Sequence, residues 1–97
     1  MATSENILNR FMQYMNEDHI TTRKMTGEYI IYYDKCVVGG LYDNRLLIKT
    51  TPSSSEILND CGLVVPYPNA KPMIHYLNIE DSETILKVLQ QVKNDLN

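Results

Sequence analysis

The chain of 97 residues is long enough for one domain, here 1–97, and too short for two separate hydrophobic cores. Its formal net charge of −3 argues against direct binding of nucleic acid, because nucleic-acid-binding proteins gain much of their affinity from basic groups that neutralise phosphates. The N-terminal residues lack the features of a secretory signal, and no apolar run approaches the ~20 residues of a membrane span. Cys36 and Cys61 do not make a disulfide framework, so we expect a cytoplasmic protein with reduced thiols and no membrane partner.

The first half of the chain predicts one helix followed by a run of strands. Ser4 is a candidate N-cap, and apolar residues at helical spacing predict a helix that ends near Glu17. Two-residue loops at Asp34-Lys35 and Asp43-Asn44 predict tight hairpin turns, because Asp and Asn tolerate positive φ. The predicted strands are residues 20–25, 28–33, 36–42 and 45–50.

The second half predicts a short helix, two strands and a final helix. Ser53, Ser54 or Ser55 is expected to cap the short helix, which runs to Asn59, with Gly62 as a left-handed C-terminal cap. Strands are expected at 63–65 and 73–77, on either side of a proline-rich loop, and Asp81 or Ser82 is expected to cap the last helix. The predicted fold class is α+β: an antiparallel β-sheet with helices on one face, in the order helix, three or four strands, helix, two strands, helix.

Both faces of the predicted meander are apolar, although an antiparallel sheet with one wet face should alternate apolar and polar residues. Strict alternation places Val37 and Leu41 on one face of their strand and Cys36, Val38 and Tyr42 on the other. The helices can cover one face of the sheet. A second copy of the chain, another protein, or residues 63–77 of the same chain could cover the other, and the pattern leaves these alternatives open.

One segment of the chain carries a family resemblance. The sequence Arg23-Lys24-Met25-Thr26-Gly27-Glu28-Tyr29, followed by Tyr32-Tyr33-Asp34, resembles the R-K-M-F-G-[GE]-Y…Y-x-D segment of TfoX (Sxy) N-terminal domains. The similarity continues at Leu46-Leu47-Ile48-Lys49, at Pro66-Tyr67 and from Met73 to Tyr76, and it covers about residues 5 to 96. It departs at Thr26, where phenylalanine is usual, and at Gly39-Gly40, where larger residues are usual. The resemblance implies a secretion-chaperone-like α+β fold, often dimeric, that serves as an interaction module rather than a catalyst.

The strongest polar cluster in the sequence consists of Arg23, Lys24 and Glu28. These residues could bind an anion or an acidic partner, or Arg23 or Lys24 could simply form an exposed pair with Glu28 or with a carboxylate of a helix. The residues with metal-ligating side chains, His19, Cys36, Cys61 and His75, lack the short-spaced pairs of zinc sites, so no metal and no cofactor are expected.

The glycines are expected to allow backbone conformations or close contacts that a side chain would prevent. Gly27 would allow positive φ or a bulge between strand segments, and Gly39-Gly40 would mark a bulge or the close approach of another backbone. No motif for phosphate binding or catalysis surrounds them.

The leading hypothesis is a non-enzymatic protein-interaction or regulatory domain, with a second copy or a transcription regulator as its partner. Its expected surface consists of Arg23, Lys24, Tyr29, Tyr32, Tyr33 and Leu47. The alternative is a small-ligand or anion-binding protein that uses Arg23, Lys24 and Glu28, and an enzyme is the third reading. A flat apolar patch would favour the first hypothesis, and a deep pocket with converging polar groups the second.

Overall fold

A computed structural model of the chain describes residues 2–15 and 19–97. Its helices and strands follow the predicted order and confirm the α+β class. They are α1 (Glu5–Tyr14), β1 (Ile20–Met25), β2 (Glu28–Tyr33), β3 (Cys36–Tyr42), β4 (Arg45–Ile48), α2 (Pro52–Ile57), β5 (Leu63–Val64), β6 (Met73–Tyr76) and α3 (Ser82–Leu96). Helix α1 ends at Tyr14 with Met15 as its C-cap, and Glu17 lies outside the described residues.

The six strands form one antiparallel sheet with the order β1-β2-β3-β4-β6-β5. Both residues of each two-residue loop in the meander have positive φ, including Thr26 at 50° and Gly27 at 86°. Turns of this kind match the right-handed twist of the strands they join. Asp34-Lys35 and Asp43-Asn44 form hairpin turns as predicted.

The helices cover one face of the sheet, which we call the helix face. Phe11 of α1 and Leu89 of α3 are fully buried against the side chains of Ile31, Leu41 and Ile48. Burial of each such side chain contributes about 1.5–3 kcal/mol relative to exposure. The side chains of the opposite face, which we call the open face, lie outside this core among the residues that the structure describes.

The cap of α2 differs from the prediction. Thr51, not Ser53, Ser54 or Ser55, is the N-cap: its hydroxyl accepts a hydrogen bond from the Ser54 backbone N–H, and the Ser54 hydroxyl accepts one from the Thr51 N–H. Pro52 therefore occupies the first helical position, where its missing N–H is not needed.

Two predicted helix ends have different outcomes. Gly62 is not a left-handed cap: its φ lies outside the positive region, and α2 has already ended with Leu58 as its C-cap. At α3, Asp81, one of the two predicted candidates, is the N-cap and accepts a hydrogen bond from the Thr84 N–H.

A β-bulge in β3 changes which residues share a face. Ile31 pairs with Gly39 and Tyr32 with Val37, so Val38 is an extra residue without a partner in β2. The bulge shifts the alternation by one residue. Val37 consequently lies on the open face with Tyr42, not with Leu41 as strict alternation predicted.

No helix within residues 2–15 and 19–97 combines the length and the apolar character needed to cross a bilayer.

Candidate functional site

The open face of the sheet is apolar along most of its strands. The register of the sheet puts the following residues on it: Ile30 and Tyr32 of β2, Val37, Gly40 and Tyr42 of β3, Leu47 of β4, and Met73 and His75 of β6, together with the charged residues Arg23, Glu28 and Arg45 at one end of the sheet. Such a face needs a cover, because it would otherwise remain a contiguous exposed apolar patch.

Residues 65–72 cover part of this face. The flanking segments join the sheet as β5 and β6, so only the loop between them folds across it. The ring of Tyr67 packs against the ring of Tyr42, with 6.3 Å between centroids and an interplanar angle of 49°. Leu47 is 0% exposed although it lies on the open face, outside the helix-side core. Of the alternatives that the sequence left open, coverage of the open face by residues 63–77 is therefore realised only for this loop.

A groove remains between the loop and the open face, and it has two lobes. We call the larger one the lysine lobe; it has a volume of about 580 Å³, and its lining includes Tyr32, Val37, Lys49 and Lys71. The glutamate lobe, of about 530 Å³, has Glu28 in its lining. Both lobes share Met25, Ile30, Tyr42, Pro66 and Tyr67 as lining residues. The groove is thus one apolar feature that ends in basic side chains on one side and an acidic one on the other.

The rim of the groove is open to solvent. Met25 is 47% exposed, Tyr67 58% and Leu96 45%. Large apolar side chains at a rim of this kind are available to a binding partner. A small molecule in the groove would remain in contact with solvent on one side, whereas typical ligand pockets bury most of the ligand surface.

The tyrosines of the groove give it hydrogen-bonding capacity. Within residues 2–15 and 19–97, the hydroxyls of Tyr32, Tyr42 and Tyr67 have no hydrogen-bond partner. Burial raises the pKa of Tyr42, and the nearby charges of Tyr67 and Glu28 raise it further. Because its phenol stays neutral near neutral pH, Tyr42 can donate a hydrogen bond to a partner.

Arg23, Lys24 and Glu28 do not form a cluster in the structure. Arg23 pairs with Ile30 in the register and lies on the open face, whereas its neighbour Lys24 points to the helix face. The Glu28 carboxylate instead accepts hydrogen bonds from the Thr3 hydroxyl at 2.6 Å and from the Asp43 N–H at 3.2 Å.

The structure therefore does not bring the side chains of Arg23, Lys24 and Glu28 together. Both basic residues are exposed, and among the described residues neither makes a salt bridge. The anion site proposed for Arg23, Lys24 and Glu28 loses its converging geometry, and the expected pair with Glu28 is not formed.

The predicted aromatic surface is only partly present. Tyr29 is 5% exposed in the helix-side core and Leu47 is fully buried, so neither belongs to an exposed surface. Tyr33 also packs on the helix side, where its ring stacks on His19 with 5.6 Å between centroids. Of the predicted aromatic residues, Tyr32 alone lines the groove.

The sequence analysis did not place Val37 and Tyr42 on the same face of the sheet. The bulge at Val38 brings them there, and the adjacent glycines suggest a bulge without showing its exact position. The sequence analysis also did not include Tyr67 in the proposed surface. The surrounding Pro66 and Pro68 indicate an irregular loop, and that signal does not say which face of the sheet the loop crosses.

Gly39 and Gly40 allow close approach of neighbouring groups beside the bulge. A Cβ at Gly39 would overlap the carbonyl oxygen of Leu47 in the adjacent strand. A Cβ at Gly40 would overlap the Tyr42 ring and lie 2.9 Å from the Tyr29 carbonyl oxygen.

Two further polar features lie away from the groove. His19 Nδ1 is hydrogen-bonded to the Asp34 carboxylate and lowers its pKa, and Lys93 Nζ lies 3.7 Å from the same carboxylate. Burial raises the pKa of the Cys61 thiol, so it is not an activated nucleophile.

Metal-ligating side chains are likewise dispersed. Burial lowers the pKa of His75, and the charge of Arg45 lowers it further. In the described part of the chain, no three His, Cys, Asp or Glu side chains are grouped as metal ligands.

Comparisons with known proteins extend over part of the chain. No family model matches it, and no solved structure matches it. A protein of Spirochaeta aurantia, described as an uncharacterized 12.7 kDa protein in the trpE 5′ region, is 46% identical to it over 48 residues. This match covers 50% of the present chain and 42% of the Spirochaeta protein.

Proposed function

We propose that this chain is a non-enzymatic protein-interaction domain whose groove docks an apolar surface of another polypeptide. The observation that carries the proposal is the open apolar groove on the sheet face opposite the helix-side core. A buried apolar contact there would contribute about 25 cal/mol per Å² removed from water.

The lining of the groove supports binding rather than catalysis. Its charged side chains are Lys49 and Lys71 in one lobe and Glu28 in the other. Glu28 is already engaged by Thr3 and Asp43, and so it is a poor candidate for a general base. Three tyrosines and two methionines, residue types that are enriched at protein interfaces, contribute to the remaining surface of the lysine lobe.

The resemblance of residues 23–34 to TfoX N-terminal domains supports a regulatory role for the interaction, in the cytoplasm. Under this proposal a transcription regulator is one class of partner. The acidic balance of the chain, with a net charge of −3, favours a protein partner over nucleic acid.

A pair of matched tyrosine variants tests the proposal. The full chain, Tyr67→Ser and Tyr14→Ser would each be used as tagged bait in source-cell lysate after mild crosslinking, with quantitative mass spectrometry of the recovered proteins. Tyr67 lies in the groove and is 58% exposed; Tyr14 ends α1 and is 43% exposed.

We expect Tyr67→Ser to reduce the recovery of a specific bound protein by about tenfold or more, because an anchor residue at the centre of an interface contributes a large part of its binding free energy. The recovered protein can be another polypeptide or an untagged copy of the chain. Tyr14→Ser should recover it normally. Recovery that both variants leave unchanged, with both proteins folded, would contradict an interaction through the groove.

A further inference from the structure

We propose that the groove binds an acidic segment of its protein partner, in which apolar side chains lie between two groups of carboxylates. This inference rests on the proposed function, because it gives the chemical class of the polypeptide that the same groove docks. Its basis is the distribution of basic and acidic side chains over the open face and its covering loop.

The open face is basic, although the chain as a whole is acidic. Among the described residues, the open face and its covering loop carry one carboxylate, that of Glu28, and four basic side chains: Arg23 of β1, Arg45 of β4, Lys49 at the end of β4 and Lys71 of the loop. The net charge of the whole chain is −3. The excess of carboxylates therefore lies outside this face, and the face attracts a negatively charged partner.

The basic side chains have donors that the chain itself does not use. Within residues 2–15 and 19–97, Arg23, Lys49 and Lys71 make no salt bridge. Arg45 Nη2 lies 3.6 Å from the Asp43 carboxylate, but the Arg45 Nε is buried and has no hydrogen-bond partner in the same part of the chain. Carboxylates of a partner can accept from these groups, and such charge-assisted hydrogen bonds are among the stronger ones in proteins.

The carboxylate of Glu28 does not make the groove acidic. It already accepts hydrogen bonds from the Thr3 hydroxyl and the Asp43 N–H. Arg23 and Arg45 lie at the same end of the open face, so two arginines outweigh the one carboxylate there. At the other end, the described lining of the lysine lobe contains no acidic side chain.

Basic groups stand at both ends of the apolar part of the groove. Arg23 is the cross-strand neighbour of Ile30, and Arg45 is that of Tyr42; both neighbours line the two lobes. Lys49 follows Arg45 at the fourth residue along the same face, a separation of about 13 Å in an extended strand. The matching partner carries carboxylates at a similar separation, which is about four residues of an extended segment or about nine of a helix.

The surroundings of the tyrosines favour a polypeptide over a single-stranded nucleic acid. Proteins that bind single strands offer aromatic rings on which bases stack. The Tyr42 ring instead packs against Gly40 and against the ring of Tyr67, with 6.3 Å between the two ring centroids. A chain of phosphates would also meet Glu28 at one end of the groove, whereas a protein segment can place an apolar residue there.

The test is a selection of random dodecapeptides, displayed on phage, against the tagged full chain at physiological ionic strength. The enriched peptides would then be synthesised with a fluorophore and titrated with the full chain by fluorescence anisotropy. We expect them to share an apolar centre with Asp or Glu on both sides. Their affinity should fall as the salt concentration rises, because salt screens the attraction between exposed charges.

Adjacent residues of β1 provide a matched pair of charge reversals. Arg23 lies on the open face and Lys24 on the helix face; both are exposed, and neither makes a salt bridge among the described residues. Arg23→Glu should weaken binding of the enriched peptides by roughly tenfold, since it replaces an attraction with a repulsion. Lys24→Glu should change the dissociation constant by less than about twofold, because screening limits charge effects to roughly 8 Å at physiological salt.

An exchange of charges distinguishes direct pairing from an effect on the covering loop. Lys71→Glu should also weaken binding by roughly tenfold. Among peptides in which a single Asp or Glu is replaced by Lys, at least one should bind the Lys71→Glu chain more tightly than it binds the wild-type chain. A loss of affinity caused only by altered folding of the loop would not be reversed by a change in the peptide.

Several results would overturn the inference. Enriched peptides without acidic residues that lose affinity with Tyr67→Ser would leave the proposed function in place, with a partner of different chemistry. Equal losses for Arg23→Glu and Lys24→Glu would show that only net charge matters. A labelled oligothymidylate that displaces the peptides and depends on Arg23 and Lys71 would assign the groove to single-stranded nucleic acid. Failure to enrich any peptide that depends on Tyr67 would contradict the proposed function as well.

Discussion

At the scale of single residues, the shape of the groove depends on a glycine beneath an aromatic ring. The Tyr42 ring lies over Gly40, in space that any Cβ would enter. The same ring contacts Tyr67 of the covering loop. The absence of a side chain at residue 40 therefore sets the position of an aromatic residue that both lobes share.

Gly40→Ala is expected to lower the free energy of unfolding by about 1–3 kcal/mol, because the added methyl group overpacks against Tyr42 and the Tyr29 carbonyl oxygen. Gly62→Ala is the matched control: a Cβ there meets no atom within 4 Å, and the glycine φ is not in the left-handed region. Gly62→Ala should leave the free energy of unfolding unchanged or raise it by up to about 1 kcal/mol, because alanine lowers the conformational entropy of the unfolded chain. Urea unfolding of both variants measures the difference, and equal midpoints would contradict the account.

At the scale of secondary structure, α2 is stabilised at its start by reciprocal hydrogen bonds and connected to α3 by an acidic side chain. Thr51 and Ser54 satisfy each other's backbone N–H groups, and both residues are buried. The Asp95 carboxylate of α3 accepts hydrogen bonds from the backbone N–H and the hydroxyl of Ser53. The first turn of a six-residue helix is thus fixed by tertiary contacts as well as by its own cap.

Thr51→Ala is expected to lower the free energy of unfolding by about 0.5–2 kcal/mol, since it removes the acceptor for the Ser54 N–H. Ser55→Ala, on an exposed position of the same helix, should change it by less than about 0.5 kcal/mol. Chemical denaturation of the two variants against the wild-type chain distinguishes the observed cap from the serines that the sequence suggested. A larger loss for Ser55→Ala would rule out Thr51 as the dominant cap.

At the scale of the whole molecule, three aspartates link stability to pH. The pKa of Asp81 is lowered first by the Tyr76 hydroxyl, that of Asp95 first by the Ser53 backbone N–H, and that of Asp34 first by His19. Below pH 5 the folded chain therefore binds fewer protons than the unfolded chain at these groups. Their stabilisation is complete above the ordinary carboxyl pKa of 3.8 and is lost as pH falls through the lowered values.

Asp81→Asn is expected to reduce the loss of stability between about pH 5 and pH 2, because the amide does not titrate while its oxygen can still cap α3. Glu83→Gln, which removes a neighbouring carboxylate in the first turn of the same helix, should keep the wild-type acid dependence. Thermal or urea unfolding as a function of pH measures both. An Asp81→Asn curve parallel to the wild-type curve would show that this carboxylate does not contribute to the acid dependence.

Local features of the sequence were sufficient to predict most of the secondary structure. β-branched and aromatic residues indicated the strands, helical spacing of apolar residues indicated the first and last helices, and Asp34-Lys35 and Asp43-Asn44 indicated two hairpin turns. These predictions succeed because periodicity and the tolerance of positive φ act over a few residues. The apolar character of both sheet faces was also evident from the sequence, since it follows from residue types along each strand.

Only the tertiary structure decided which of these residues meet. One extra residue at Val38 exchanges the faces of the residues that precede it in β3, and so brings Val37 and Tyr42 to the same side. Arg23 and Lys24 are adjacent in the chain but lie on opposite faces, and Glu28 turns to Thr3 and Asp43. The sequence by itself determined that an apolar face needed a cover; packing decided that residues 65–72 cover part of it, because the path of a loop depends on contacts with residues distant in the chain.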